Sequence, residues 1–289
     1  MADVIIRAAH LGKRYGSVEA LRGIDLEIMR GEFCVIAGPN GAGKSTFLRI
    51  LYGEVDPSEG EIALAELPTP MGVMPQEAGL YDDLSVWEHV YYLTLLKGAN
   101  RSEESAGGAI RAAGLEEVKR TLIRELSGGY KRRASLAQAL AGSEDLLLLD
   151  EPTSGLDPEA RIKMLDTIRE LHRRGTTIVF TTHYLDEVES EIDRLVIFNK
   201  GEIVYNGDKE GIMDRIGYDY EVETGYDERK ARALEEMNVP CSVKEGFIHA
   251  YLRRKQMKPE FFSVLGQDIK LQRPSLEEAY LKRVKDEDH

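Results

Sequence analysis

Through residues 1–207, short apolar runs alternate with stretches whose apolar positions recur at helical spacing. "VIIRAAH" (4–10) and "GIDLEI" (23–28) predict strands of an N-terminal antiparallel section. "FCVIAG" (33–38) is continuously apolar and ends in a glycine-rich loop, the pattern of a parallel strand buried on both faces. "LLLLD" (146–150), "TIVFTTH" (177–183) and "LVIFNKGEIVYNG" (195–207) predict further strands, the last a hairpin turning at Lys200-Gly201. Helices are expected near 44–52, 86–97, 104–114, 129–141, 158–173 and 185–190. Such alternation implies an α/β sheet with helices on its faces. No strand pattern interrupts 81–126, so the stretch of about 77–126 reads as a helical subdomain.

From 208 the texture changes. A strand in "YDYEVE", a helix in "DERKARALEEM" and a hairpin of "PCSVK" and "FIHAYL" across Glu245-Gly246 come first. A helix in "KPEFFSVLG", a strand in "IKLQ" and a helix in "SLEEAYLKRVK" follow. The order β-α-β-β-α-β, then α, is that of a ferredoxin-like unit. The expected organisation is an α/β domain over 1–207 and a small accessory α+β domain over 208–289. Nothing in this tail looks catalytic.

The 289 residues are 42% hydrophobic and 31% charged, which is globular composition. No run approaches the ~18 apolar residues that span a bilayer, and no long apolar segment follows a basic start as in a secretory signal. Cys34 and Cys241 have no metal-like spacing and read as reduced thiols of a cytosolic chain. A net charge of −13 without a basic stripe argues against nucleic acid as the main partner.

Chemistry concentrates in "GPNGAGKST" (38–46), which fits G-x-x-x-x-G-K-[ST] between a predicted strand and a predicted helix. Gly41 and Gly43 let backbone amides turn inward around a phosphate, since no Cβ obstructs that conformation. Lys44 can reach the β- and γ-phosphates, Ser45 can ligate Mg²⁺, and Thr46 can serve the α-phosphate. In "LLLLDEP", Asp150 ends a buried strand where an acid holds Mg²⁺, and Glu151 can take a proton from an attacking water. Taken alone, an Asp-Glu pair after a strand is as well read as a helix cap. Gln76 in "MPQ" and His183 in "TTH" each follow a predicted strand at the sheet edge where nucleotide chemistry occurs. Gln76 can contact Mg²⁺ and the lytic water, and His183 can hydrogen-bond the γ-phosphate. A lone Gln or His elsewhere would be an ordinary polar residue. A second anion grip lies in "LSGGYKRR", where Ser127, Gly128 and Gly129 open a predicted helix.

The ordered set "GPNGAGKST", "MPQ", "LSGG", "LLLLDEP", "SGLD" and "TTH" resembles the nucleotide-binding subunit of ATP-binding cassette (ABC) transporters across about residues 1–207. The resemblance implies a P-loop NTPase of cassette type that binds ATP and Mg²⁺ with the whole of Gly38, Pro39, Asn40, Gly41, Ala42, Gly43, Lys44, Ser45 and Thr46. Ser45, Gln76 and Asp150 would hold the metal, and Glu151, His183 and Gln76 would serve catalysis. It further implies that two cassettes pair head to tail, each ATP lying between one P-loop and the other chain's Ser127, Gly128 and Gly129. The two grips then belong to different ATPs. Asp157 in "SGLD" would report on the opposite site, and Tyr15 falls where an aromatic stacks on adenine, unless it is an ordinary surface tyrosine. The second cassette would be an identical or related chain, and the membrane permease a separate polypeptide, placing the subunit on the cytoplasmic face of the membrane. Tyr81, Trp87, Tyr91 and Tyr92 lie where the family docks that permease, and a helix core could equally use them.

Two departures stand out. Tyr130 replaces the usual Gln after LSGG, and the segment from "EGEIALAEL" to "MGVMPQ" is short, so a strand or turn is expected to be trimmed. "RPSLEEAYL" and "LSGGYKRR" are similar to the multidrug and ABC-2-type exporter cassettes, favouring export. The alternative is a non-transport cassette ATPase of cluster-assembly type. Ribosome-type members carry two cassettes, and DNA-repair members insert a coiled coil, for which no heptads occur here.

Overall fold

The computed structural model describes residues 3–66, 71–77, 79–98, 102–142, 144–266 and 268–286. Two compact units, Met1–Asp208 and Lys209–His289, divide the chain.

In the first unit, β1 (Val4–Tyr15) and β2 (Val18–Met29) form a long antiparallel pair. Both outrun the segments that alternation marks, because register shifts carry the pairing past points where the two-residue period breaks. β3 (Phe33–Ala37), α1 (Lys44–Leu51), β4 (Glu59–Leu64) and β5 (Gly72–Met74) follow. β4 completes a three-stranded sheet, β2-β1-β4. Residues 67–70 of the short segment before "MGVMPQ" lie outside the described residues.

α2 (Val86–Leu96), α3 (Ser102–Ala112) and α4 (Gly128–Ala139) pack together. A capping box starts α2: the Ser85 amide donates to the Glu88 carboxylate, and the Glu88 amide donates to Ser85 Oγ. Among the described residues of 77–126 no strand occurs, only an isolated bridge between Ser85 and Leu122.

The remaining elements are β6 (Leu146–Asp150), α5 (Pro158–Arg173), β7 (Thr177–Thr182), β8 (Arg194–Asn199) and β9 (Glu202–Gly207). They complete a six-stranded sheet in the order β5-β6-β7-β3-β8-β9, parallel except for β9. Every residue of β3, β6 and β7 is buried, which is why these strands read as unbroken apolar runs. The helix expected over 185–190 is instead a single 3₁₀ turn, Leu185–Glu187. There the Val188 amide closes on the Leu185 carbonyl, while the Glu187 carbonyl accepts from Arg169 Nη2 of α5, so no α-helical ladder forms.

Register decides where the chemistry meets. Asp150 of β6 pairs with Thr181 of β7, and Thr182 pairs with Ala37 of β3. Met74 of β5 pairs with Leu149. The loops after all four strands therefore leave the same sheet edge side by side.

The second unit contains α6 (Lys209–Arg215), β10 (Tyr220–Gly225), α7 (Glu228–Glu236), β11 (Cys241–Lys244), β12 (Phe247–Leu252), α8 (Pro259–Leu265), β13 (Ile269–Gln272) and α9 (Leu276–Asp286). Its sheet is antiparallel in the order β11-β12-β10-β13. Val222, Leu234, Ile248, Ala250, Leu252, Phe261 and Leu265 form its core. Glu245 and Gly246 both have positive φ, the geometry of a tight two-residue hairpin.

Candidate functional site

Two glycines fix the loop after β3. A Cβ on Gly38 would lie 2.4 Å from the Phe198 carbonyl oxygen, and one on Gly43 would lie 2.6 Å from that of Ala20. Gly43 also has φ +107, a conformation that side chains rarely adopt, so both positions require glycine. Gly43 caps α1 without a side chain, and the first turn of α1 contains no acid. The amides there are left to serve an outside anion.

Lys44 lies almost wholly buried beside them. Its Nζ donates to the Gly38 carbonyl at 2.7 Å and the Pro39 carbonyl at 3.2 Å, and lies 3.9 Å from Glu151 Oε1. Burial pulls the ammonium below the usual lysine range, while the carboxylates of Glu151 and Asp150 work against that shift.

Thr181 organises the acidic side. Its hydroxyl donates to Asp150 Oδ1 at 2.6 Å and accepts from the Glu151 amide at 2.9 Å. Glu151 itself is held at φ +47, a strained left-handed conformation for a residue with a side chain. Thr181→Val keeps the shape and removes both bonds. It is expected to lower stability by about 1–3 kcal/mol, the scale for stranding buried polar groups, as a lowered midpoint in urea unfolding.

A hollow of about 600 Å³ gathers Tyr15, Asn40, Gly41, Ala42, Gly43, Lys44, Ser45, Thr46, Gln76, Glu151, Ser154 and His183. His183 Nδ1 lies 3.5 Å from Glu151 Oε1, and the Lys13 ammonium sits 5.1 Å from the centre of the exposed Tyr15 ring. Gly38 and Pro39 contribute their carbonyls beneath Lys44. Asp150 is buried behind the lining, against Thr181. Ser45, Gln76 and Asp150 offer a hydroxyl, an amide and a carboxylate, oxygen donors suited to a hard cation that retains phosphate and water ligands. No cluster of three His, Cys, Asp or Glu suited to a metal occurs among the described residues.

The second grip is absent from this hollow, whose lining includes neither Ser127, Gly128, Gly129 nor Asp157. Ser127 is the exposed N-cap of α4 and spends no side-chain bond on its own helix. Asp157 caps α5, its Oδ1 accepting from the Ala160 amide at 2.9 Å. Tyr130 is half-buried, with the Arg133 guanidinium of its own helix 4.2 Å from its ring centre.

Residues 21–154 match the family described as "ABC transporter". The chain is 34% identical over 226 residues to the linearmycin resistance ATP-binding protein LnrL of Bacillus subtilis (strain 168), covering 74% of this chain and 73% of that one. The chain belongs to the ABC transporter ATP-binding family. Nod factor export ATP-binding protein I of Burkholderia orbicola (strain AU 1054) is 37% identical over 219 residues, covering 72% of each chain. Among solved structures, an ATP-binding subunit of an ABC transporter superposes with a TM-score of 0.67 at 26% identity, covering 74% of this chain and 93% of that one. The dimeric bacterial cassette MJ0796 superposes with 0.65 at 28% identity, covering 71% and 98%. The cassette is an ATPase subunit, and no helix among its described residues is long and apolar enough to cross a membrane.

Two residues of this cassette stand inside the quoted segments "TTH" and "LSGGYKRR", yet their roles escape motif reading. Thr181 opens "TTH", but its bonds to the acidic turn are signalled only by its being polar within a fully buried strand. Arg132 is one of three basic residues that follow Tyr130 in "LSGGYKRR", and nothing along the chain distinguishes it from Lys131 or Arg133.

Proposed function

We propose that this cassette hydrolyses MgATP as one half of a head-to-tail pair and drives export through a separate membrane subunit. The observation that carries the reading is the hollow itself: it holds the P-loop, Glu151 and His183 but no residue of 126–130. Ser127 and the first amides of α4 face outward with no side-chain cap, an anion grip with no anion of its own chain to hold.

The roles follow from position. Lys44 and the amides of 41–46 bind the phosphates, and Tyr15 stacks on the base. Glu151 accepts a proton from the attacking water, held toward the γ-phosphate by His183 and Gln76. A Mg²⁺ held by Ser45, Gln76 and Asp150 would neutralise charge between the β- and γ-phosphates. Asp157 faces the opposite site across the pair.

Export is favoured by relatives whose names specify linearmycin resistance, Nod factor export and daunorubicin resistance. Tyr81, Tyr92, Leu95 and Leu96 are exposed near or on α2, whereas Trp87 and Tyr91 stack half-buried at 6.2 Å. The exposed set supports docking of a permease there, on the cytoplasmic face of the membrane. Residues 1–207 then constitute the cassette, and 208–289 an accessory domain.

The test is the order of the reaction. ATP turnover per chain is expected to rise with protein concentration until pairing saturates. Turnover per chain that stays constant at every dilution would remove the pair.

A further inference from the structure

Helix α4 carries a residue that grips the turn after β6 in its own chain. Arg132 lies one turn after Gly128, so the two share a face of α4 about 5–6 Å apart along its axis. Its guanidinium donates to four backbone carbonyls: Nε to Pro152 at 3.1 Å, Nη1 to Gln76 at 2.6 Å, and Nη2 to Asp150 at 3.0 Å and Glu151 at 2.5 Å. The four acceptors lie at the end of β6, in the turn after it and in the loop after β5, the segments that bring Glu151 and Gln76 to the nucleotide hollow.

We infer that Arg132 is a positioning residue that couples the anion grip of α4 to the catalytic turn after β6. Glu151 has a positive φ, and such strain persists only where the surroundings over-determine it. Thr181 holds the Glu151 amide and Arg132 holds its carbonyl, so the residue is clamped on both sides. Without the guanidinium, the three carbonyls of the Asp150–Pro152 turn lose their donor and Glu151 relaxes toward negative φ, swinging its carboxylate away from Lys44. The same fork ties the Gln76 loop to that turn, so a shift of α4 moves both together. On the two-chain reading proposed above, α4 grips the partner's phosphate. Arg132 then transmits that engagement to the chain's own Glu151, and each site senses whether the other is filled.

Lysine is no substitute, because one ammonium on a flexible stem cannot span four carbonyls as a planar fork does. In the full chain, Arg132→Met is expected to lower kcat by about 10²-fold, the scale for a small misplacement of a reacting group, and to flatten any cooperativity in ATP. KM and the affinity for a fluorescent ATP analogue stay at wild-type values, and Arg132→Lys recovers only part of kcat. Unchanged kcat in Arg132→Met overturns the proposal, and so does a kcat loss matched by an equal loss of ATP affinity, which marks a merely structural residue. Should Arg132→Met not fold, Arg132→Lys decides alone: reduced kcat at constant KM supports the coupling, and wild-type kcat refutes it. A Glu151→Gln chain run in parallel tests the pair itself. If that chain traps no ATP-bound dimer, the two-chain reading fails whatever Arg132 does.

Discussion

Glu151→Gln lowers ATP turnover by about 10²–10⁴-fold, the usual scale for losing a general base, and leaves ATP binding intact. The amide has the size of the carboxylate, and the backbone of residue 151 stays clamped by Thr181 and Arg132. The side chain therefore keeps its direction and loses only its capacity to accept a proton. Affinity does not fall, because a carboxylate near the γ-phosphate repels it and the amide does not. The Lys44 ammonium, 3.9 Å away, loses one of the two carboxylates that sustain its charge but gains the phosphates. Phosphate-release kinetics read the first effect and equilibrium nucleotide binding the second. With hydrolysis blocked, an ATP-bound dimer accumulates in size-exclusion chromatography. Wild-type turnover in this variant would remove Glu151 from the role of base.

Ser127→Arg stops turnover by a different route, with a loss of about 10²-fold or more, the scale for destroying a preorganised anion contact. The residue is exposed and makes no side-chain cap bond, so the substitution leaves its own helix intact. It is also absent from its own chain's hollow, so ATP still binds there. What suffers is the partner's site, into which the long cation intrudes. A mixture discriminates sharply. Combining Ser127→Arg chains with Lys44→Ala chains gives hybrid pairs in which one composite site has both halves wild-type. Turnover is expected to reappear on mixing two separately inactive proteins, and its failure to do so would sink the head-to-tail arrangement.

Much of this site is legible along the chain because its parts are local. Residues 38–46 form one continuous loop, Asp150 and Glu151 are adjacent, and each follows a strand whose unbroken apolar run announces burial on both faces. What the pattern cannot carry is a side chain whose partners are backbone carbonyls. Those of Arg132 lie 18 to 56 residues away, and a carbonyl has no residue identity to recognise. The role of Thr181 within "TTH" is hidden for a related reason: its two bonds run across to Asp150 and Glu151, and only register brings them together. The lost helix after His183 shows side chains overriding a local pattern, since Arg161 and Arg169 of α5 bind Glu187 from outside its turn. β4 and α6 are faint because they bury little, β4 having no fully buried residue and α6 only Ile212.

The position of Lys44 bears on which molecules can enter. Its ammonium is buried and donates to two neutral oxygens, from Gly38 and Pro39, with the Glu151 carboxylate 3.9 Å away. An arriving ligand must therefore outbid those oxygens rather than merely solvate a lone cation. A triphosphate carrying several negative charges does so easily, whereas a nucleoside or a singly charged metabolite offers little more than the carbonyls it displaces. A preference for highly charged nucleotides is the expected consequence of that buried position, independent of any contact with the base.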